Sequence, residues 1–356
     1  MNSVKRCDRD HISYAASDYL LGHIMSNLII YDEQRQPRRL GEQIGRGGQG
    51  DIYALAENPN IVVKIFNQEK IQERGRELRE KVFVQIRVLE DLIKSPYVTW
   101  PQIEVFDSND QWIGYAMKKA KGLPLSNLAH PMLYLKYFPN IDRKGIVQIL
   151  LHLLDTIDLL HKKGICLGDI NLGNFLADPS TFKVYLIDTD SYQIRNGSQI
   201  YPCPVGRPEM TPVEHHGKDF RTITRTIESD LFSLAILMFQ CLMLGQHPYS
   251  QVGGGNPVEN LRKGNFPYGK GNPKPGEVGS LPPGPWYIIW SHLTFNVKSL
   301  FIKTLKEGVN DPSSRASVKE WRDVLQKYYF AIQRDYNTSE IRPAQPKTSR
   351  DSEDHS

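Results

Sequence analysis

The sequence is short of cysteine, of long apolar runs and of charge of one sign, and each shortage removes a class of protein. The four cysteines, Cys7, Cys166, Cys203 and Cys241, stand far apart and form no Cys-x-x-Cys pair. That argues against a zinc site or a disulfide framework and fits a reducing compartment. The opening MNSVKRCDRDHISYAAS lacks the apolar core of a secretory signal. A bilayer-spanning helix needs roughly 18 apolar residues, and the apolar stretch 231–244 has only 14, so it reads as a buried helix. A formal charge of +4 over 356 residues is small, without the clustered Lys/Arg of a nucleic-acid or membrane binder. These exclusions predict a cytoplasmic protein with no nucleic-acid and no membrane partner.

What is present suffices for an ordinary globular core: 40% hydrophobic and 24% charged residues. No internal repeat is visible. Residues 1–27 show no pattern and read as an N-terminal arm. From there to residue 117 the chain is strand-like. NLIIYDEQRQPRRL suggests a hairpin approach. IGRGGQGDIYALAENPNIVVKIF suggests strand, Gly-rich turn, strand, a second turn at ENPN, and strand. A charged helix is predicted over 68–94, stopped by Ser95-Pro96, and a second hairpin over 102–118.

After Gly122 the texture becomes helical. Ile146, Ile149, Leu150, Leu153, Leu154, Ile157 and Leu160 keep helical spacing toward Gly164. FLAD and FKVYLID read as two short strands, 191–227 as a loop, and 231–244 as the buried helix. In 251–286, 16 of 36 residues are Gly or Pro, which predicts an irregular insertion. Helices are expected over 287–308 and 317–333, and a disordered polar tail over 335–356. The reading is α+β: a small β-rich lobe over 28–117 and a larger, mainly helical lobe over 118–334. A hinge is expected near Met117–Gly122, with a ligand cleft beside it.

Three sequence signals carry chemistry. The first is Gly45-Arg46-Gly47-Gly48-Gln49-Gly50, where backbone without side chains lets N–H groups lie over phosphate oxygens. Alone this is a weak signal. The glycines lead into a strand, however, whereas a dinucleotide fingerprint runs into a helix. The second is Lys64 inside the apolar IVVKIF. A buried lone charge is costly, so this is either an edge lysine reaching solvent or a cation for phosphates held by a carboxylate of the next helix. Glu77, Glu80 and Glu90 are the candidates, and Glu80, 16 residues on, is preferred. The third is LHKKGICLGDINLGNFL with Asp169 and Asn174, then Ile187-Asp188-Thr189-Asp190. Each of these carboxylates and amides alone could be a cap or turn residue; the joint spacing is the signal.

Together these motifs resemble the protein-kinase family, over residues 40–330. The resemblance implies the two-lobed protein-kinase-like fold, ATP as cofactor with Mg²⁺ (or Mn²⁺), and phosphoryl transfer to a protein substrate, Ser/Thr first, with autophosphorylation. Asp169 would orient the acceptor hydroxyl and take its proton; Asn174 and Asp188, with Asp190 beside them, would hold metal. Lys64 and Glu80 would hold phosphates. Ile44, Gly45, Gly47, Gly50, Ile52, Met117, Lys118 and Ala120 would surround the nucleotide. Gly206-Arg207-Pro208-Glu209-Met210-Thr211-Pro212-Val213-Glu214 resembles the end of an activation segment, with Arg315 where the family places the partner of Glu214. Asp230 would hold the catalytic loop from below.

The pattern also departs from the family. Gly168 stands where an arginine precedes the Asp, which implies activity independent of a phosphate on the activation loop. Asn171 replaces a lysine near the transferred phosphate, Thr189-Asp190 replaces Phe-Gly, and Lys118-Lys119 occupy the hinge. These breaks keep two other classes open: a nucleotide-binding pseudokinase, and a small-molecule phosphotransferase like aminoglycoside and choline kinases. The variant loop resembles atypical bacterial kinase-like proteins, some of which accompany phosphatases in stress-response systems. Thr222, Thr224 and Thr226 among arginines suggest an autophosphorylation site. His215-His216 reads as a solvated loop.

Overall fold

The computed structural model describes residues 28–269 and 273–347. The expected N-terminal arm and the last nine residues lie outside them, as does Cys7. The chain divides into two compact units between Lys119 and Ala120.

The first unit is a six-stranded antiparallel sheet with one long helix. Its strands are β1 (Ile29–Tyr31), β2 (Pro37–Arg46), β3 (Gly50–Leu55), β4 (Asn58–Phe66), β5 (Ile103–Phe106) and β6 (Trp112–Lys118), ordered β1-β2-β3-β4-β6-β5. A bridge from Tyr31 to Phe106 closes the sheet into a barrel. The turn between β3 and β4 falls at Ala56-Glu57, two residues earlier than the expected centre, because Asn58, Pro59 and Asn60 extend β4. Helix α1 (Gln68–Arg87) bends at Arg74, whose φ of −143° is non-helical, and a 3-10 turn at Glu90–Lys94 completes the charged segment.

Period-two alternation sorts the strand residues into two cores. Val63, with Ile30, Leu40, Tyr53, Val105 and Ala116, fills the barrel. Val62 and Phe66 pack with Trp112, Tyr115 and Met117 against Val82 and Ile86 of α1. Lys64 falls in register with Val62 and Phe66, so it shares the face covered by α1.

The second unit is mainly helical. Strand β7 (Leu123–Pro124) leads to α2 (Leu125–Leu128), α3 (Leu133–Tyr137) and α4 (Arg143–Lys162), the last capped by Asp142 on the Gly145 N–H at 2.8 Å. Strands β8 (Phe175–Ala177) and β9 (Val184–Leu186) complete a three-stranded sheet with β7. The segment expected as loop contains a hairpin, β10 (Ile194–Asn196) with β11 (Gln199–Tyr201). Helix α5 (Ile227–Leu242) begins in a Thr226/Ser229 capping box and buries almost every residue. Beyond its first turn it is almost wholly apolar, as a central helix must be. Short α6 (Pro257–Arg262) interrupts the Gly/Pro-rich stretch, and beyond it lie α7 (Trp286–Ser291), α8 (Phe295–Ile302) and α9 (Val318–Gln333). Phe239 of α5 meets Phe266, Tyr268, Trp290 and Phe301 edge-on or tilted, at 5.0–6.2 Å.

The expected disordered tail needs correction from residue 335 to 347. Buried Arg143 donates to the Glu340 and Ile341 carbonyls at 2.9 and 3.0 Å and to the Tyr328 hydroxyl at 3.2 Å. A guanidinium taken out of water needs such acceptors, and the polar composition of the tail hid that it supplies them from its backbone.

Candidate active site

The glycine-rich turn joins β2 to β3. Gly45 pairs with Ile52 and Arg46 with Asp51. The Gly47 N–H donates to the Gly50 carbonyl at 2.9 Å, and Asn67, just before α1, donates to the Gly48 carbonyl at 3.2 Å. Only one of these glycines is imposed by packing. A Cβ on Gly50 would lie 2.2 Å from the Ile65 carbonyl oxygen, whereas one on Gly48 would meet nothing and those on Gly45 and Gly47 would make ordinary contacts. The bare backbone at Gly45, Gly47 and Gly48 is therefore not needed for folding, and a ligand approaching the turn would use it. Ile44 is 39% exposed beside it, and Ile52 is partly buried on the α1-facing core.

Lys64 pairs in register with Ile52 on one side and Tyr115 on the other. It is 4% exposed, with its ammonium 5.4 Å from the centre of the Phe66 ring. Glu80 is exposed on α1, and Glu77, also exposed there, ion-pairs Arg74 at 2.6 Å. Met117 packs its side chain into the core against α1, and Lys118 spends its ammonium on the Ile93 carbonyl at 2.8 Å. Both side chains are thus engaged within the first unit. Ala120 is half-buried and opens the second unit.

In the second unit the loop before β8 and the turn after β9 meet. Phe175 pairs with Leu186, and the Ile187 N–H donates to the Asn174 carbonyl at 3.1 Å, which sets Asn174 and Asp188 at the same end of the hairpin. Asn174 donates through Nδ2 to the Asp169 carboxylate at 3.0 Å and to its carbonyl at 2.9 Å. Its Oδ1 is then the atom left to face a cation. The other Asp169 carboxylate oxygen, Oδ1, is buried without a hydrogen-bond partner. Asn171 accepts from the Gly173 N–H at 2.9 Å and so shapes the loop. Asp188 is exposed, with φ at +55°, and Ser191 donates twice to its carbonyl. Asp190 is 6% exposed, turned into the unit, so the two carboxylates of this turn have different surroundings.

The loop rests on Asp230. Its carboxylate accepts from the Leu167 and Gly168 N–H groups at 2.7 and 2.9 Å and lies 3.0 Å from His161 Nε2. Gly168, the departure from Arg, has a packing cause: its φ is +73°, and a Cβ there would sit 2.7 Å from Cys203 Cβ. A buried guanidinium nevertheless passes this point. Arg225, whose Cγ would be 3.5 Å from that Cβ, donates to the Val205 carbonyl at 3.1 Å and stacks on Phe220 at 4.3 Å. Gln193 holds the Arg225 backbone at both ends, 2.7 Å to its N–H and 2.9 Å to its carbonyl, while bridging to Cys166, three residues before Asp169. No sequence signal marked Gln193 or Arg225, because the contacts that define them span 32 residues.

Arg315 is buried and grips Glu214 with two bonds of 2.7 and 2.9 Å, adding the Gly308 and Glu228 carbonyls. Burial pushes the Glu214 carboxyl up, but the hydrogen bond and charge of Arg315 outweigh it and hold the group below its ordinary range. The expectation of a solvated His215-His216 loop is corrected. His215 is 7% exposed, and burial, with the Arg225 charge adding to it, lowers its pKa to about 4, so it is neutral. His216 accepts from Arg262 at 3.0 Å and meets the Thr211 carbonyl at 2.8 Å. The Thr222 hydroxyl donates to Asp219 and Thr226 caps α5, while Thr224 is exposed.

Among the described residues no three His, Cys, Asp or Glu side chains cluster as a metal site. Mg²⁺ does not require one, since it takes one or two carboxylates and completes its shell with water and substrate phosphates. An exposed Asp188 beside an amide oxygen of Asn174 fits that donor chemistry.

Comparison with known proteins agrees. The family profile described as "Protein kinase domain" matches residues 38–330. The chain is 28% identical over 305 residues to the protein kinase YegI of Escherichia coli K12, an alignment covering 83% of this chain and 45% of that protein. It is 26% identical over 211 residues to the B1 kinase of vaccinia virus (Western Reserve), covering 53% and 66%. The chain thus spans about half the length of the first relative.

Proposed function

The chain belongs to the protein kinase family, and on that premise we propose that it transfers the γ-phosphate of ATP to protein Ser/Thr hydroxyls, its own included. The observation that carries this reading is the state of Asp169. One carboxylate oxygen is fixed by Asn174 and the other is buried without a partner, an acceptor waiting for a hydroxyl proton. Asn174 and Asp188 hold the divalent cation. When bound, Mg²⁺ or Mn²⁺ supplies charge neutralisation on the phosphates.

The other roles come from position. Lys64 neutralises phosphate charge from the face covered by α1, with Glu80 as its carboxylate. The backbone of Gly45–Gly50 covers the phosphates, and Ile44 and Ile52 give the base an apolar face. Arg207, whose guanidinium would lie 4.0 Å from a Cβ on Gly173, supplies the cation that Asn171 does not. Arg225 and Gln193 fix the segment around Val205 without a phosphate, so the unphosphorylated chain is active. Thr224 is the acceptor in autophosphorylation.

Two rival classes are disfavoured by specific contacts. A scaffold has no use for Lys64, Asp169, Asn174 and Asp188 together. The Glu214–Arg315 pair and the Asp230 support belong to a protein-kinase helical unit, not to a small-molecule phosphotransferase. The experiment is γ-labelled ATP with Mg²⁺ or Mn²⁺ and a generic protein acceptor, read by phosphoamino-acid analysis, with Lys64→Met and Asp188→Asn alongside. Phosphoserine or phosphothreonine lost in both variants is expected. Nucleotide bound without transfer would establish the scaffold instead, and label appearing only on a metabolite alcohol would establish the small-molecule enzyme.

A further inference from the structure

Away from these residues, the anchored strap 336–347, the start of α8 and one face of α9 enclose a cavity of about 700 Å³, a size suited to small ligands. Lys298, Lys327 and Lys347 all line it, and among the described residues no Asp or Glu does. The strap is fixed in place: the Lys347 N–H donates to Ser291 Oγ at 2.9 Å, and the His292 ring meets the Gln345 carbonyl at 2.9 Å.

The wall includes the N-terminus of α8, and that terminus is built against its own dipole. Thr294 at the cap makes no side-chain bond, the first turn holds no acidic residue, and Lys298 comes directly after. A helix start favours negative charge and disfavours positive. Lys298 is half-buried, donates to the Ser291 carbonyl at 3.1 Å, and has its pKa lowered by burial and then by the nearby Lys347 charge. Lys298 and Lys347 thus line one cavity, with no Asp or Glu among its described lining residues to separate their charges. A second, independent feature lies in the same wall: Asn337 is 7% exposed, and both its amide oxygen and its amide nitrogen are buried without a partner. A buried unpaired amide is costly. Phe295, 77% exposed, stands at the rim.

We propose that this cavity binds a phosphate dianion, through Lys298, Lys347 and the free N–H groups at the start of α8, with Lys327 adding charge. A dianion relieves the charge misfits together: it separates the lysines, caps the helix and neutralises the cations among the described lining residues, while the buried Asn337 amide stays outside this set. The site is distinct from Lys64, Asp169 and Asp188, and the inference does not depend on the kinase reading. The group can arrive as free phosphate or as an aromatic phosphate ester lying on Phe295.

The test is titration of the full chain with inorganic phosphate and with phenyl phosphate at fixed ionic strength, read by calorimetry and melting temperature. Lys298→Met and Lys347→Met are compared with Lys64→Met, which reports any phosphate held on the nucleotide side. Each of the first two is expected to weaken phosphate binding by about tenfold or more, the loss of one charge-assisted bond, while Lys64→Met retains it. Without phosphate, Lys298→Met should melt at or above the wild type, since removing one of two repelling charges is relief; a merely structural lysine would give the opposite. Equal affinity for the two probes assigns the site to free phosphate, and tighter phenyl phosphate assigns it to an ester. Unchanged binding in Lys298→Met and Lys347→Met, or loss in Lys64→Met alone, overturns the proposal.

Discussion

Asp230 and Asp169 serve the same loop in opposite ways. Asp230 is 1% exposed, and its two oxygens take two backbone N–H groups and face a histidine. Asp169 is only partly covered, yet keeps one buried oxygen with no partner. The first is a satisfied buried charge, which a fold tolerates and uses as a fastener. The second carries an uncompensated acceptor, which folding would discard unless something else bonds to it. The contrast separates a residue that holds the loop from the residue proposed to act.

The largest predicted effects test this contrast directly. Asp230→Ala removes the acceptor for three buried groups and should cost roughly 3–5 kcal/mol of stability, with activity lost along with the fold. Asp169→Ala should melt close to the wild type while transfer falls about a thousandfold or more, since it removes the proton acceptor and only one hydrogen bond. If both variants melt alike, the distinction fails. Next in size is Arg315→Met, which strands the Gly308 and Glu228 carbonyls and should cost roughly 3 kcal/mol at neutral pH. Because the Glu214 carboxyl is held below its ordinary 4.5, the pair stabilises above that value and is lost as pH falls through the lowered one. The gap in stability between wild type and Arg315→Met should therefore narrow in acid and stay flat from pH 6 to 8, as denaturant melts at each pH would show.

Smaller effects sharpen the account of the activation segment. Phosphatase-treated protein should keep its activity within about twofold, whereas Gln193→Leu, which releases the Arg225 backbone, should lose about tenfold, one strong hydrogen bond's worth of positioning. Strict dependence on a loop phosphate would contradict this. Arg207→Ala should lower kcat by about tenfold with little change in melting, as for one cation near developing charge. The smallest contrast lies in the glycine turn. Gly48→Ala should leave stability unchanged and raise the KM for ATP a few-fold, while Gly50→Ala, facing a carbonyl at 2.2 Å, should destabilise by about 1–3 kcal/mol.

Much of this was legible because it depends on short-range pattern. Alternation marked β4 and made Lys64 an anomaly, and the 169, 174 and 188 spacing is one loop and one hairpin. The Glu214–Arg315 pair, bonded across 101 residues, was visible only through family resemblance. Other features were invisible because their causes are long-range. Gly168 is dictated by Cys203, and the strap by a guanidinium on α4. Others do carry a short-range signal: Asn196-Gly197 between strand-like residues is a hairpin signal, and Gly114 within apolar β6 marks a close approach, since a Cβ there would lie 1.9 Å from the Lys64 carbonyl oxygen.

The most direct test of the central claim is γ-phosphate transfer by wild type and Asp169→Ala at equal folded concentration and equal nucleotide occupancy. The account predicts labelled protein from the wild type and almost none from the variant, both folded and both binding ATP. Equal transfer by the two, or none by either, would contradict it.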